Sequence, residues 1–110
     1  MGNYNRWVKQ IASATDVAAS TSYTPGSDLE NTAALAVHAK WTETSVTGSI
    51  QVQGSIDNEN WYGLNTAVDV DSETQMWFED ADIAYPYVRV AVTISADKLD
   101  TLSIYMAGKG

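Results

Sequence analysis

The stretch YVRVAVTIS (Tyr87–Ser95) decides the fold class of this 110-residue chain. Its apolar residues recur at every second position, as three valines followed by an isoleucine, and Arg89, Ala91 and Thr93 lie between them. A period of two places the apolar side chains on one face of a β-strand and the others on the opposite face. The stretch therefore predicts an antiparallel strand with one buried face.

The same alternation occurs at residues 35–41, 49–56 and 101–107, and weaker strand patterns occur at residues 6–12, 21–24, 61–64 and 75–79. Turn-forming residues fall between these segments, including Thr47-Gly48 and Asp97-Lys98, where we expect strands to end. About eight short strands at this spacing predict an all-β fold: an antiparallel, jelly-roll-like β-sandwich in a single domain. Residues 11–19 and 28–35 could each hold a helical turn without changing that class.

The N-terminal segment allows two interpretations. Residues 1–21 are polar and rich in small side chains, and they carry Tyr4 and Trp7. They form either an arm that becomes ordered only against a neighbouring molecule or an ordinary edge segment. In both cases residues 22–110 form the β-sandwich domain.

The composition excludes several kinds of function. The chain has no cysteine, so neither a disulfide nor a thiolate metal site can form. Its formal net charge of −8, with six basic residues, argues against binding to nucleic acid or to an anionic membrane surface. The N-terminus lacks the apolar segment of a signal peptide, and no stretch approaches the roughly 18 apolar residues of a membrane span.

No residue pattern indicates catalysis. The single histidine, His38, lies on the polar face of an alternating stretch, and no Gly-x-Ser-x-Gly nucleophile turn is present. One histidine without cysteine lacks the ligands for zinc. The acidic residues at 57–60, 69–73 and 79–82 do not match an EF-hand loop, so we expect solvated acidic turns rather than a calcium site. We predict a non-enzymatic protein with no catalytic residue, cofactor or metal.

The segment SIDNENWYGL (Ser55–Leu64) predicts a tight turn between two strands. Asp57, Asn58 and Asn60 are turn formers, and asparagine tolerates the left-handed backbone conformation that such turns often require. Trp61 then begins the returning strand, where we expect its ring to cover the end of the core. A ligand-stacking platform at Trp61 is the alternative.

Several aromatic side chains fall on faces opposite the apolar stripes. Tyr87 and Tyr105 do so by the alternation, and at least one of Met76, Trp77 and Phe78 must point away from the core. Exposed aromatic side chains mark either protein contacts or carbohydrate stacking, and in a symmetric assembly protein contact is the more frequent explanation. We predict interface residues at Tyr4, Trp7, Trp77, Tyr87 and Tyr105.

Four segments resemble small β-sandwich proteins encoded among tailed-phage virion genes: SYTPGSDLENTAALAVHAKW (Ser22–Trp41), VQGSIDNENWYGL (Val52–Leu64), YPYVRVAVTIS (Tyr85–Ser95) and TLSIYMAGKG (Thr101–Gly110). In those proteins the second segment typically follows Val-x-Gly-Ser-x-Asp-Gly-x-Asn-Trp-x-x-Leu. This chain has Asn58 where glycine is usual and Pro86 where the first basic residue of the third segment is usual.

The resemblance implies a structural accessory protein of the virion. We expect a capsid decoration (cement) protein of the head, assembled in the host cytoplasm and located on the capsid surface. Its partners would be the major capsid protein and copies of itself, as a homotrimer or another homo-oligomer, and buried aromatic surface would stabilise the shell. The alternative is a carbohydrate-binding or fibre-type module for host attachment, with a glycan stacked on Trp61, Tyr62, Trp77 or Tyr87.

Overall fold

The computed structural model describes residues 6–26, 29 and 32–110. They form one antiparallel sheet of seven strands: β1 (Arg6–Val17), β2 (Thr21–Tyr23), β3 (Ala34–Ser55), β4 (Tyr62–Gly63), β5 (Val68–Asp69), β6 (Gln75–Asp80) and β7 (Tyr87–Lys109). The predicted all-β, antiparallel, single-domain fold is confirmed. Within the described part of the chain, no helix is long and apolar enough to cross a lipid bilayer.

Two long strands, β3 and β7, form the centre of the sheet. They pair along their whole length, from Ala34 opposite Lys109 to Ser55 opposite Tyr87. β1 and β2 follow one another along the outer side of β7, and Arg6 in β1 pairs with Lys109. β4, β5 and β6 follow one another along the outer side of β3. The sheet is therefore a ribbon four strands wide.

The ribbon folds back on itself. β3 contains 22 residues and would measure about 75 Å if it were straight, whereas the longest dimension of the molecule is 49 Å. β6 ends opposite Leu35, and residues 81–86 connect it to β7, which begins opposite Ser55. This short connection can span at most about 25 Å. The two ends of β3 therefore lie close together, and the ribbon forms two layers.

The first layer contains β1, β6 and the adjoining halves of β3 and β7. The second layer contains β2, β4, β5 and the remaining halves of the two long strands. Buried side chains from both layers form one core, including Val37, Ile104 and Met106 from the first and Ile50, Val52, Val90 and Val92 from the second. Each side chain of this kind contributes about 1.5–3 kcal/mol of burial free energy.

Bulges bend the long strands where turns were expected. In β3 the pairing register shifts between Thr42 and Glu43, between Glu43 and Val46, and between Thr47 and Gly48. In β7, Asp97 has a φ of 60°. An extra residue on one strand of an antiparallel pair bends that strand without ending its pairing.

The strand ends expected at residues 47–48 and 97–98 are therefore wrong, because β3 and β7 continue through both places. Two pairs of predicted strands merge into these two long strands. The short strand β5 was not predicted. Seven strands thus replace the eight expected.

The N-terminal part of the described chain is an edge strand. β1 pairs with β7 as far as Val17, so the helical turn considered for residues 11–19 is wrong. The arm interpretation as it applies to residues 1–5, with Tyr4 among them, lies outside the described residues. Of the helical turn considered for residues 28–35, residues 28, 30 and 31 lie outside the described residues, Leu29 lies in a 3₁₀ turn, and residues 34–35 begin β3.

Candidate contact surfaces

The outer face of the first layer carries exposed apolar side chains, and we call it the aromatic face. Its strands lie in the order β1-β7-β3-β6, and paired residues form rows that cross them. The rows, in order along the strands, are Arg6, Lys109 and Ala34; Val8, Ala107, Ala36 and Glu79; Gln10, Tyr105, His38 and Trp77; and Ser13, Ser103, Lys40 and Gln75.

Large hydrophobic groups project from this face at both of its edges. Val8 on β1 is 73% exposed and Trp77 on β6 is 60% exposed, while Tyr105 between them is 46% exposed. Trp77 and Tyr105 must point outward, because their chain neighbours Met76 and Met106 are buried in the core and successive side chains of a strand point to opposite faces. The face therefore presents an aromatic row next to an aliphatic edge.

Three alanines form the floor of a shallow depression in the aromatic face. Ala36 and Ala107 are paired on the two central strands, and Ala34 lies beside them. The depression measures about 430 Å³, and its rim includes Val8 and Glu79. A projecting apolar group from another molecule could therefore be received next to Val8.

His38 helps to fix the position of Trp77. Its Nε2 donates a hydrogen bond to Oε1 of Gln75 (3.1 Å), and its ring centroid lies 5.6 Å from that of Trp77, with the planes tilted by 57°. Aromatic pairs favour such tilted geometries. The arrangement orients a ring on a surface and provides no aligned nucleophile or acid–base pair.

The outer face of the second layer is different in character, and we call it the polar face. Nε of Arg89 donates to Oε1 of Gln53 (2.8 Å), Nε2 of Gln53 donates to Oε1 of Gln51 (3.0 Å), and Nε2 of Gln51 donates to the carbonyl oxygen of Asn65 (2.8 Å). The donors and acceptors of these side chains already form hydrogen bonds within the face. A binding partner would therefore gain less free energy from contact with the polar face than from contact with the aromatic face.

Trp61 lies on the polar face. The guanidinium carbon of Arg89 lies 4.3 Å from the centre of its ring, a cation–π contact. The expectation that Trp61 covers the end of the core stays a prediction, and the contact that the structure gives its ring is with Arg89 of β7 on the outer side of the sheet. The same contact covers one side of the ring that a stacked ligand would need.

The turn between β3 and β4 is organised by Asp57. Its carboxylate accepts hydrogen bonds from the backbone N–H groups of Asn60 and Glu59 and from the side chains of Asn60 and Ser55. The backbone N–H groups of Asn60 and then Glu59 are the main reason that the pKa of Asp57 lies well below its ordinary value of 3.8. Asn58 has a φ of 64°, the left-handed conformation that asparagine tolerates.

The predicted interface residues do not form one surface. Trp77 and Tyr105 share a row of the aromatic face, whereas Tyr87, 41% exposed, lies opposite Ser55 at the end of the second layer. Trp7 is half-buried: its Nε1 donates to Oγ1 of Thr32 (2.8 Å), and its ring lies against Gly108. Tyr4 lies outside the described residues.

Val8, Ala36 and Ala107 also belong to this contact surface, although the sequence pattern alone did not single them out. Their outward positions follow from the alternation of β1, β3 and β7. Their proximity depends on which strands pair and in which register, and this is not visible in a single strand. The available signal was the run of small residues at alternate positions, as in AALAVHA (Ala33–Ala39).

The acidic turns do not assemble a metal site within the described part of the chain. No group of three histidine or acidic side chains there is placed to share an ion. Asp69 and Asp71 interact directly, and their hydrogen bond is the main reason that the pKa of Asp69 is raised.

No known protein family matches the sequence, and no curated protein matches it. Two solved structures share its fold. The SPBc2 prophage-derived protein YomS has a TM-score of 0.61 at 12% identity, over 100% of this chain and 97% of that chain. A protein of Bacillus endospore appendages, described as disulfide-linked pili, has a TM-score of 0.55 at 13% identity, over 98% of this chain and 89% of that chain. At such identities the similarity shows the fold alone: a small antiparallel β protein of the type found in these two structures.

Proposed function

We propose that this protein is a non-enzymatic structural component of a phage virion, and more specifically a capsid decoration protein on the outer shell. The observation that carries the proposal is the aromatic face, which exposes Trp77, Tyr105 and Val8 on one side of a rigid sheet. Aromatic residues are enriched at protein–protein interfaces, where a large ring buries much area with little loss of conformational freedom.

The distribution of charge supports contact through this face. The chain has a formal net charge of −8. Among the described residues, the aromatic face carries three basic side chains, Arg6, Lys40 and Lys109, and one acidic side chain, Glu79. Like charges elsewhere on the surface oppose nonspecific association, whereas this face can approach another protein without that repulsion.

The comparisons support the phage origin and a role in assembly. One protein with this fold derives from a prophage, and the other belongs to pili. Those pili are disulfide-linked, whereas this chain has no cysteine. Its contacts would therefore be noncovalent and would depend on buried area.

In the proposed role, the protein binds the major capsid protein and further copies of itself, and it holds neighbouring shell subunits together. Each bound copy contributes the free energy of the surface that it buries. A standard stable interface buries about 800 Å² on each partner.

Capsid co-sedimentation tests this proposal. Capsids that lack the protein, taken from the phage or prophage that encodes it, are incubated with the purified chain and pelleted. We expect the chain to pellet at a fixed ratio to the major capsid protein. We expect the double variant Trp77→Ser, Tyr105→Ser to bind at least tenfold more weakly.

Tyr87→Ser, which removes an exposed ring outside the aromatic face, is the matched control and should bind as the unchanged chain does. All variants are first checked for an unchanged melting temperature. If the unchanged chain does not pellet at micromolar concentration, the capsid role is wrong.

A carbohydrate-binding or fibre-type role is the second candidate. The observation that favours it is the row containing Tyr105, His38 and Trp77, since exposed aromatic rings are surfaces on which sugars stack. Tryptophan fluorescence titrated with host polysaccharide distinguishes the two functions. Saturable quenching that is lost in Trp77→Ser, together with no binding to capsids, would favour host attachment.

A further inference from the structure

We infer that the outer edge of β6 receives an extended segment of a partner protein as an additional strand, and that this segment carries basic and apolar side chains. The inference rests on the proposed structural role, in which the segment belongs to the shell protein, and it adds the kind of contact and the chemistry of the partner. Four observations carry it: the direction of the backbone groups of β6, the sequence of that edge, the groove beside it and the charge around it.

The outer edge of β6 presents backbone groups at alternate residues. The N–H of Trp41 donates to the carbonyl oxygen of Thr74 (3.0 Å), in the same register as the pairing of β3 with β6. In an antiparallel pair, residues that bond across the ladder alternate with residues whose N–H and C=O groups point away from it. In steps of two from this bond, Gln75, Trp77 and Glu79 direct their backbone groups outward. Within residues 6–26, 29 and 32–110, no hydrogen bond reaches these outward groups.

The sequence of β6 leaves this edge open to another strand. Proteins block exposed edges with features such as a bulge, a proline or a lysine. The opposite edge of the layer, β1, has a bulge between Gln10 and Ala12. β6 (QMWFED) has none of these three features, and its aromatic residues favour a strand. β6 is therefore the edge of the first layer that is suited to strand addition.

A groove of about 490 Å³ gives access to the edge. It is lined by Gln75, Met76 and Trp77 of β6 and by residues 65–69 of the second layer. Because Met76 points into the core and its two neighbours point outward, a space that touches all three lies at the edge of the strand rather than on one face. A strand that enters this space can form ladder bonds, and such main-chain bonds provide affinity in strand addition.

The charge around the edge favours a basic segment. β6 carries Glu79 and Asp80 and no basic side chain, and the groove is lined by Asp69 and Glu73 and by no basic side chain. A lysine or arginine opposite Glu79 would form a favourable cross-strand pair. A second copy of this chain is a poor occupant, since each copy has a formal net charge of −8 and like net charges oppose association.

Trp77 would provide the apolar contact of the added strand. Its side chain is 60% exposed on the aromatic face, and the residue opposite it in an added strand would have its Cβ about 5 Å away. A β-branched or aromatic residue pairs favourably with tryptophan at that distance. Glu79 lies two residues further along on the same face, so we expect a lysine or arginine two positions from this apolar residue.

Titration with a short peptide tests the edge without a capsid. The probe is the capped peptide Lys-Thr-Val-Thr-Lys, which places a lysine opposite Glu79 when its valine faces Trp77, in either strand direction. We expect shifts of the backbone amide signals of Gln75, Trp77 and Glu79 in NMR spectra, with a dissociation constant in the millimolar range. The matched peptide Glu-Thr-Val-Thr-Glu should bind at least fivefold more weakly. Equal binding of the two peptides, shifts away from β6, or no shift at about 10 mM peptide overturns the inference.

Proline at position 79 tests the backbone contact itself. Glu79→Pro removes an N–H that points away from β3, and proline is tolerated on edge strands in that orientation. Glu79→Ala is the matched control, because it removes the same side chain and keeps the N–H. With equal melting temperatures, Glu79→Pro should bind the peptide and the capsids that lack this protein at least tenfold more weakly than Glu79→Ala. Equal binding of the two variants overturns the inference.

Hydrogen exchange provides a test that needs no variant. In the unchanged chain, the outward amides of β6 are exposed to water, so exchange of Trp77 and Glu79 should slow at least tenfold when the chain is bound to capsids. Mass spectrometry of the segment 75–80 measures this change. An unchanged exchange rate in the bound chain overturns the inference.

Failure of this inference and failure of the proposed function give different results. Equal capsid binding by Glu79→Pro and Glu79→Ala overturns the added strand and leaves the decoration role in place. Peptide binding at β6 by a chain that does not pellet with capsids supports strand addition and overturns the decoration role. A chain that dimerises alone, with the dimer lost in Glu79→Pro and kept in Glu79→Ala, makes a second copy the occupant and overturns the basic partner segment.

Discussion

At the scale of single residues, Asp57 shows how one carboxylate can organise a turn without metal or catalysis. It accepts hydrogen bonds from backbone and side-chain donors between Ser55 and Asn60, while Asn58 takes the left-handed conformation. These residues were predicted to form a turn because their types favour it. The partner of Trp61 could not be predicted, because Arg89 is distant in the sequence and is brought close only by strand pairing.

Replacing Asp57 by alanine should lower the melting temperature at pH 7 by a few degrees. The pKa of Asp57 is depressed in the folded protein, so its ionised form stabilises the folded state above its ordinary pKa of 3.8. That stabilisation is lost as the pH falls below 3.8 toward the folded-state pKa. The difference in melting temperature between the two proteins should therefore shrink between pH 5 and pH 2.5, as measured by circular dichroism.

Glu59→Gln is the control for this experiment. It removes a negative charge two residues away, but Glu59 contributes its backbone N–H to Asp57 and keeps that group after the change. A difference for Asp57→Ala that is as large at pH 2.5 as at pH 7 would show that the carboxylate is not the stabilising group.

At the scale of elements, the decisive feature is the continuity of β3 and β7 through their bends. Period-two alternation predicted each half of these strands correctly, because one face of each half is buried. It could not show that the halves join, because a bulge is defined by the residue opposite it on the partner strand. Thr47-Gly48 has the composition of a turn, yet Gly48 serves here to let two backbones approach.

Gly48→Ala should destabilise the protein by about 1–3 kcal/mol, the range for overpacking a closely packed site. A Cβ at this position would lie 2.1 Å from the carbonyl oxygen of Thr93, which belongs to the backbone of β7 and cannot move aside alone. Urea unfolding followed by tryptophan fluorescence measures the effect.

Gly63→Ala is the matched comparison, and it should cost less than about 1 kcal/mol. The atom nearest to its new Cβ would be Nε2 of Gln51, at the end of a flexible side chain. Equal losses of stability in the two variants would mean that close backbone approach at Gly48 does not hold the bend.

At the scale of the whole molecule, the fold depends on closing the end of the ribbon opposite the bend. Tyr85, in the connection between β6 and β7, packs against Gly54 and donates a hydrogen bond from its hydroxyl to Oδ2 of Asp80 (2.9 Å). Burial, and then this hydrogen bond, raise the pKa of Tyr85 well above its ordinary value of 10.0. The sequence predicted two layers from strand number and spacing, but not which residues close them.

Tyr85→Phe should destabilise the protein by about 1–2 kcal/mol, because the ring still packs but Asp80 loses a buried donor. Tyr87→Phe is the control and should change the free energy of unfolding by less than about 0.5 kcal/mol, since that side chain is 41% exposed. Chemical denaturation of the three proteins at pH 7 gives the comparison. Equal values for the two variants would show that the Tyr85 hydroxyl does not contribute to closure.

The contact surface was less predictable than the fold, because it depends on which strands pair with one another. The alternation identified Tyr105 as outward-facing and left Trp77 as one of three possibilities. It could not join them to Val8 and Ala36, because a surface that crosses four strands exists only once those strands are paired. The exposed groups were therefore predicted one at a time, whereas the aromatic face is a property of the assembled layer.

The pairing of Arg6 with Lys109 has a mechanical consequence. The two ends of the described chain leave the sheet side by side, so a tensile force applied through both would peel β1 away from β7 one rung at a time. Such unzipping needs far less force than sliding whole strands past each other. We therefore expect the sheet to resist strain that enters through its broad surfaces better than strain that enters through Arg6 and Lys109 together.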